Sequence, residues 1–556
     1  MSNLKKIPDE ELNKLPKNVI TMMYSQLSDS FDVLQEQNKQ LLKQIASLQE
    51  SLAVMNQRLF GKKSEKNLSC PGQLSFDFDL NILNEAEQLT EQGIPEEPSA
   101  ETVIKEHTRK KSKGKRAEDL SLVERTIVEH TLSDEQLANA FPEGYTRLPD
   151  ETYTDLEYVP AKVIAVEHHV AVYVSKGSDH TFLRGDRVPR LLGNSILTPS
   201  LAAGIADMKY VNQIPIKRIA TDFQRMDVNI SSQVMSGWMI KIADRFLKAI
   251  YNRMKKAIIK SLLIHCDETP FRLTNNAREN PDGTMGENTS SKSYMWVYHS
   301  DPKYEAPNIF LYEYQLGRET SHPREFLKGY KGILMTDGYQ VYHTLQNERP
   351  DELIVSGCWA HAKRKYAEII KAMGEKGSVG SVAEEGNKRI MAIYHVDNMT
   401  KGKSNQEILD NRRVSVKPLV DSYFAWAKSV YSSDKLDKAG KAYKAVQYSV
   451  NQEEFLRRFL ENPIIPLDNN DAERSIRTFC VGKHSWHLID SKKGAEASAI
   501  LYSIAETAKA NGLKPYEYFK YSLEKLLMHQ DDPLDSYIDA IMPWSESLPE
   551  SCRKIK

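Results

Sequence analysis

Apolar residues recur every seven positions near the start of the chain. Leucines fill one of the two repeating positions: Leu27, Leu34, Leu41 and Leu48. An apolar seam with a period of about 3.5 residues drives helices to supercoil, and a seam asparagine such as Asn38 favours an in-register pair. The pattern predicts a leucine-zipper-like coiled coil over 1–60 that forms a homodimer or higher oligomer. The alternative is an amphipathic helix docked on its own domain, which usually needs a wider apolar stripe.

The next segment is polar, and its charge changes from negative to positive along its length. Residues 71–101 contain acids but no lysine or arginine, whereas 105–116 are rich in both. This composition predicts a linker over 61–120 with a basic arm that either contacts DNA phosphates or stays solvated. Alternating apolar runs at 152–158 and 163–174 then predict strands of a small β domain over 121–190.

Two helical patterns with a short polar break predict a helix-turn-helix-like pair within a helical region over 191–258. They cover 216–226 and 231–243, and Ser231 or Ser232 can cap the second helix. Its inward face is predicted to hold Val234, Met235, Trp238 and Ile242. Gln233 and Lys241 are predicted to face outward as DNA contacts, although helix pairs are also common in proteins that do not bind DNA.

From residue 260 the pattern predicts three strands followed by alternating helices and strands. The predicted strands are 260–267, 293–299, 308–314, 332–337 and 353–358, and the predicted helices are 321–328, 338–345 and 360–373. This is the element order of a ribonuclease H-like α/β core over 259–374. We expect a polar, all-helical insertion at 375–461 and the return of the core with C-terminal helices at 462–545. The predicted fold class is therefore multidomain α+β.

Three acids stand where core packing does not explain them, because buried carboxylates are costly unless paired or metal-bound. Asp267 and Asp337 each close an apolar strand-like run, and Glu473 lies at the start of a late helix. In the ribonuclease H-like order these elements carry the acids of a metal site. The alternatives are turn-forming aspartates after a strand and an ion pair of Glu473 with Arg477.

Carboxylate oxygens suit Mg²⁺, which keeps several of its waters and so needs few protein ligands. Two Mg²⁺ ions about 3.5–4 Å apart strengthen the nucleophile and stabilise the leaving oxygen in phosphodiester cleavage. The predicted site therefore holds two Mg²⁺ ions, with Mn²⁺ as a substitute. We expect Asp267 to bridge them, because it lies on the central first strand.

Basic and aromatic residues around these acids predict DNA contacts. They are His361, Lys363, Arg364, Lys365, Arg474, Arg477, Lys483 and Trp486. Open alternatives are a structural His361, and a Trp486 that packs in the core rather than stacking on an unpaired end base. A zinc site would need Cys358 and His361 with a second pair, Cys480 and His484 or His487. No zinc is expected, since the five cysteines are scattered and form no Cys-x-x-Cys pair.

The chain of 556 residues is too long for one core. No apolar run reaches the roughly 18 residues of a membrane span, and the N-terminus lacks the apolar core of a signal peptide. We therefore expect a cytoplasmic, nucleoid-associated protein without a membrane partner. The net charge of −1 gives no global indication of nucleic-acid binding, so local charge must carry that inference.

Several motifs together resemble the insertion-sequence-66 transposases, a branch of the DDE transposases. They are LFGKKSEK at 59–66, LNEAE at 83–87, DETP at 267–270, TDGY at 336–339, GCWAHAKRK at 357–365, NNDAER at 469–474 and TAKANGL at 507–513. The resemblance implies that Asp267, Asp337 and Glu473 form the DDE triad. It also implies metal-dependent cutting at transposon ends and joining of the freed 3′-OH to target DNA.

The resemblance further implies partners: transposon ends, target DNA and small accessory proteins. Relatives look as if they carry a cysteine-rich zinc finger that this chain lacks at 140–145. Two other readings remain. A metal nuclease such as a junction resolvase would cut without joining, and a DNA-binding regulator would not cut. The zipper and helix pair favour the transposase, because paired ends need dimeric recognition, and the intact triad speaks against the regulator.

Overall fold

The computed structural model describes residues 16–60, 162–174, 182–184, 186–275, 291–433, 436–486 and 488–554. The predicted strand at 152–158 and the basic arm lie outside these residues. The chain divides into two compact units, one of 1–77, 189–219 and 231–552, the other of 78–188, 220–230 and 553–556. Within the described ranges, no helix has the length and apolar character to cross a bilayer.

The described residues form helices and strands in alternating blocks. The strands are β1 Val172–Val174, β2 Phe182–Arg184, β3 Leu263–Asn275, β4 Ser291–Ser300, β5 Ile309–Gln315, β6 Gly332–Thr336, β7 Leu353–Gly357 and β8 Leu488–Ser491. The first α-helices are α1 Lys17–Phe60, α2 Pro199–Ala206, α3 Ile216–Arg225, α4 Ser232–Ile242, α5 Lys248–Ile258, α6 Ser321–Phe326, α7 Gln340–Glu348 and α8 Trp359–Met373. The later ones are α9 Glu375–Ser378, α10 Val382–Asn398, α11 Asn405–Asn411, α12 Lys417–Ser432, α13 Lys441–Asn451, α14 Glu453–Arg457, α15 Asn470–Trp486, α16 Lys492–Ala510 and α17 Pro515–Met528.

The central sheet has the strand order β5-β4-β3-β6-β7, and β8 joins the far end of β3. β4 runs antiparallel to β3 and β5, whereas β6 is parallel to both β3 and β7. This order and these directions confirm the mixed, ribonuclease H-like α+β fold. Parallel strands covered by helices read as apolar runs, which is why the pattern of GILMT in β6 predicts its strand.

One detail of the first strand differs from the prediction. Asp267 does not end it, because β3 continues to Asn275. The strand keeps partners beyond the acid, since β4 pairs with it as far as Leu273 and β8 pairs with its end. Asp267 nevertheless lies past the β6 ladder, which stops at His265.

The helical insertion, α9–α14, shares a buried core with one face of the sheet. Residues from both parts form this core: Leu263, Ile333, Met335, Trp359, Val420, Tyr423, Phe424 and Phe459. Trp359, at the start of α8, contacts the rings of Tyr423 and Phe424, and its Nε1 donates a hydrogen bond to the Leu456 carbonyl at 2.8 Å. The insertion is therefore packed against the sheet rather than tethered to it.

The helix α1 is continuous over 44 residues. Part of it lies against α8 and α13 in the same unit. Its seam leucines Leu27, Leu34 and Leu41 are still 69%, 57% and 54% exposed, and Asn38 is exposed too. A long row of apolar side chains in water is typical of a surface that another chain covers.

The helix α4 begins as predicted and differs at one inward position. The Ser231 hydroxyl accepts the Val234 amide at 3.3 Å, and Met235, Trp238 and Ile242 are buried. Val234 is 45% exposed, so its predicted inward orientation is wrong. Neighbouring residues on a helix point about 100° apart, and Met235 already occupies the inward direction.

The strand predicted at 163–174 is also shorter than expected. Only Val172–Val174 is a strand, paired antiparallel with Phe182–Arg184, whereas 162–171 have no regular structure. The other strand predicted for this domain, 152–158, lies outside the described residues.

Candidate active site

Asp267 and Asp337 meet at one edge of the sheet because β3 and β6 are parallel. The β6 ladder pairs Met335 with His265, so the chains carry both acids beyond the same end. The Asp337 Oδ1 accepts the Tyr339 amide at 3.0 Å, which fixes a tight turn. Gly338 in that turn has a φ of +89°, a backbone conformation that residues with a Cβ rarely adopt.

The charge of Glu473 also acts on Asp267. Burial raises the pKa of the Asp267 carboxyl well above its usual value, and the charges of Glu268, Asp337 and Glu473 raise it further. One hydrogen bond, from the Glu268 amide to Asp267 Oδ1 at 2.9 Å, opposes this shift. The negative charges of Glu268, Asp337 and Glu473 thus disfavour ionisation of the Asp267 carboxyl.

Glu473 lies on α15 and is held by two residues of α8. Its Oε2 contacts the Arg364 guanidinium, and its Oε1 lies 3.3 Å from His361 Nδ1. The side chain is only 11% exposed, and neither Oε1 nor His361 Nδ1 has a hydrogen-bond partner of good geometry. Burial also lowers the pKa of the His361 imidazole. Both Glu473 Oε1 and His361 Nδ1 are buried polar atoms that a bound ligand would satisfy.

Asn469 anchors the start of α15 to the strand that carries Asp267. Its Nδ2 donates to the Cys266 carbonyl at 2.8 Å, and its Oδ1 lies 2.7 Å from His265 Nδ1. Its amide also lies 3.2 Å from Cys358 Sγ, at the N-terminus of α8. Asn469 is fully buried. It therefore connects the start of α15, which carries Glu473, with β3, which carries Asp267, and with the start of α8, which carries His361 and Arg364.

Asn469→Leu is expected to destabilise the protein by about 1–3 kcal/mol, because it leaves the buried His265 and Cys266 groups without a partner. The thermal unfolding midpoint should fall, and activity should fall further because α15 is no longer fixed. Asn387→Leu, at a buried asparagine in the insertion, is the matched control. Equal loss of activity in both variants would argue against a special role for Asn469.

Glu268 is a fourth acid that acts on Asp267, and the sequence did not suggest it. Its carboxylate contacts Arg318 and lies 3.3 Å from the Tyr342 hydroxyl. Burial and the charge of Asp337 raise its pKa to about 7, against the opposing effect of Arg318. Arg318 also stacks on Tyr339, 3.8 Å from the ring centroid. The available signal was Arg318 in the loop before α6, but nothing in the sequence indicates that it reaches this strand.

The predicted DNA contacts on α8 separate into different roles. Lys363 is buried, at 6% exposure, so its predicted phosphate contact is wrong. Arg364 contacts Glu473, and His361 lies 3.3 Å from the same carboxylate. Lys365 is exposed, with its ammonium 4.6 Å from the Tyr448 ring centroid.

The contacts predicted on α15 and α4 lie mainly at the surface. Arg474 is exposed and Arg477 half-buried, as is Lys483, whose ammonium donates to the Pro270 carbonyl at 2.9 Å. Gln233 and Lys241 are exposed on α4.

Lys483 and Trp486 lie in the last turn of α15. Trp486 is half-buried and packs edge-on against Phe479 at 5.4 Å, which favours the core alternative. The basic residues of this segment fit the last turn of a helix, where cations interact favourably with the helix dipole.

Two kinds of metal site can be compared among the described residues. Cys358, His361 and Glu473 offer ligand atoms within 4.8 Å of one another, but Cys480 does not belong to this group. Instead, the Cys480 sulfur lies 3.4 Å from the Thr269 hydroxyl. The carboxylates of Asp267, Asp337 and Glu473 are hard oxygen donors whose mutual repulsion a divalent cation would relieve. This donor set fits Mg²⁺ or Mn²⁺.

Three family models match the sequence. The model described as Transposase IS66 family matches residues 194–497, more than half of the chain. The model described as IS66 C-terminal element matches 503–544. A third, described as Transposase C of IS166 homeodomain, matches 47–127, most of which lies outside the described residues.

Two proteins of Sinorhizobium fredii, both named as uncharacterized, are similar over most of their length. The protein y4qI is 25% identical over 402 residues, which cover 70% of this chain and 70% of that protein. The protein y4jD is 23% identical over 408 residues, which cover 72% and 76%.

Among solved structures, the chain is similar to the Drosophila P element transposase strand transfer complex. The TM-score is 0.23 at 10% identity, over 61% of this chain and 94% of that one. For the Mos1 strand transfer complex the TM-score is 0.13 at 10% identity, over 49% and 78%. At these scores neither complex carries an argument about this chain.

Proposed function

Because the chain belongs to the IS66 transposase family, we propose that it binds the terminal inverted repeats of a bacterial insertion sequence, cuts there and joins the ends to target DNA. The observation that carries this proposal is that the charges of Asp337 and Glu473 both act on the Asp267 carboxyl, while Arg364 of the basic helix α8 contacts Glu473. A regulator that only binds DNA has no need of mutually repelling buried acids, which cost stability unless a cation is bound.

We propose Asp267, Asp337 and Glu473 as the catalytic residues and as ligands of two Mg²⁺ ions, with Mn²⁺ as a substitute. Bound ions would supply the activation of the attacking oxygen and the stabilisation of the leaving oxygen in each phosphoryl transfer. The chain's own residues hold the ligands in place. Arg364 and His361 orient Glu473, and the Tyr339 amide orients Asp337.

DNA contacts in this proposal come from exposed cations near the acids. Lys365 and Arg474 are exposed on the helices that carry and hold Glu473, and they suit contacts with backbone phosphates. Gln233 and Lys241 on α4 are proposed to contact the transposon end. Small accessory proteins are proposed as further partners.

A pair of α1 helices from two copies of the chain is proposed to bring two ends together. The exposed leucines of the seam support this, since a partner helix would remove them from water. Two transposon ends can then be bound by one assembly.

The direct test is incubation of the purified protein with Mg²⁺ and linear DNA that carries the element's own ends, followed by mapping of the products. Cleavage at the ends with joining of the 3′-OH to a second DNA is expected. Cleavage without joining would favour a junction-resolving nuclease, and binding without cleavage would favour a regulator.

Mg²⁺ is expected to raise the thermal unfolding midpoint of the DNA-free protein, because the cation binds only the folded arrangement of acids. At a concentration 100 times its Kd a ligand stabilises the folded state by about 2.7 kcal/mol. Glu473→Gln should lose most of the shift. Glu506→Gln is the matched control, since Glu506 is equally buried but pairs with Lys509. A shift that survives in Glu473→Gln would remove Glu473 from the metal site.

A further inference from the structure

The turn that carries Asp337 is contacted by a helix of the insertion. Tyr448 of α13 donates a hydrogen bond from its hydroxyl to the Asp337 carbonyl oxygen at 2.6 Å. One helical turn later, Gln452 Nε2 lies 3.5 Å from the Gly338 carbonyl oxygen. Both contacts are made to backbone atoms, so they act on the path of the chain through Asp337 and Gly338.

The fit between the turn and the insertion is close. A Cβ added at Gly338 would lie 2.9 Å from Gln452 Oε1 and 3.0 Å from the Tyr448 hydroxyl. Glycine is therefore needed at 338 for two reasons, the positive φ and the approach of these side chains. The insertion leaves the turn little freedom to move.

Tyr448 is itself held from two sides. The Lys365 ammonium lies 4.6 Å from the centroid of its ring, within the range of a cation–π contact. The remainder of the ring packs against the shared core of sheet and insertion. Beside it, His343 of α7 stacks on Phe455 of α14 with centroids 3.7 Å apart. The helix after the turn is thus packed on the insertion as well.

From these contacts we propose that the helical insertion is a positioning element of the active site, in which Tyr448 and Gln452 fix the turn that presents Asp337. The inference rests on the proposed function, since it concerns the place of a proposed metal ligand. Ligands of Mg²⁺ must keep near-ideal octahedral geometry. Groups that orient a ligand without touching the metal typically change metal affinity or activity by about 10–100-fold when removed. Tyr448 and Gln452 are positioning residues in this sense.

The test compares Tyr448→Phe with Tyr423→Phe. The control removes a buried hydroxyl from the same insertion, one that donates to Ser449 at 2.7 Å and does not contact the turn. In hydrogen exchange of the metal-free and DNA-free protein, residues 337–342 should exchange faster in Tyr448→Phe and not in Tyr423→Phe. Hydrogen exchange requires neither cleavage nor metal. It therefore tests whether Tyr448 restrains the Asp337 turn even if the proposed function fails.

The second readout is the Mg²⁺ concentration that gives half-maximal cleavage of end DNA. Tyr448→Phe should raise it by about 10–100-fold, with rates recovering at high Mg²⁺ and with unchanged affinity for DNA. Gly338→Ala should act in the same direction, because its Cβ displaces the same two side chains. Unchanged exchange at 337–342 in Tyr448→Phe, or an equal effect in Tyr423→Phe, would overturn the proposal.

Discussion

Asp267→Asn is expected to abolish Mg²⁺-dependent strand transfer while leaving the binding of transposon ends intact. The amide is nearly the same size but carries no charge, so it would not replace a carboxylate as a ligand of the proposed cations. Because the other acids repel Asp267, removing its charge should not lower stability. A loss of at least about 10³-fold, or about 4 kcal/mol of activation free energy, is expected.

Two measurements separate catalysis from folding in this variant. End binding is followed by a shift in electrophoretic mobility, and the unfolding midpoint without Mg²⁺ should equal or exceed that of the parent. Asp301→Asn is the matched control, since that aspartate caps a short helix away from the acids. Strand transfer by Asp267→Asn at the parental rate would remove Asp267 from the active site.

Leu34→Pro combined with Leu41→Pro should prevent the proposed pairing of two chains and leave a monomer. Proline in a helix interior removes a hydrogen bond and clashes with the preceding turn, at about 3 kcal/mol or more for each substitution. Two such breaks within the seam should destroy the pairing surface of α1. Light scattering should then report the mass of one chain, 63.5 kDa.

A gentler pair of variants tests whether the seam itself matters. Leu34→Lys places a charge in the seam, whereas Val33→Lys places the same charge on the neighbouring residue outside it. Both side chains are 57% exposed in the single chain, so the two changes are matched in burial. Dissociation is expected only for Leu34→Lys. An unchanged mass in the double-proline variant would refute the paired helix.

The order of the core elements was predictable because β4, β5, β6 and β7 are apolar runs with clear ends, whereas the continuation of β3 past Asp267 and the short strand β8 were not predicted. Asp267 and Asp337 could be found for the same reason, since each follows such a run. The resemblance to IS66 transposases, carried by short motifs, is confirmed by the family models. The charges of Asp337 and Glu473 act on the Asp267 carboxyl, whereas a shared site of the three acids and their catalytic role stay predictions.

The wrong predictions concerned the direction in which a side chain points from its helix. Lys363 was predicted to contact DNA with its basic neighbours. It lies four residues after Trp359 and three before Tyr366, on the inward face of α8, and helical spacing alone could have shown this. Glu268 and Tyr448 could not be found in this way. Their roles depend on contacts with Arg318 and with the Asp337 turn, residues far away in sequence.

Asn469 has a consequence for the chemical ageing of the protein. Deamidation would replace its Nδ2 donor by an oxygen facing the Cys266 carbonyl oxygen, which can only accept. The carboxylate would be isosteric with the amide. Its oxygen, however, would direct a lone pair at the lone pair of the Cys266 carbonyl oxygen in a dry interior. A change of less than one mass unit at this side chain should therefore inactivate a molecule whose four carboxylates are chemically untouched.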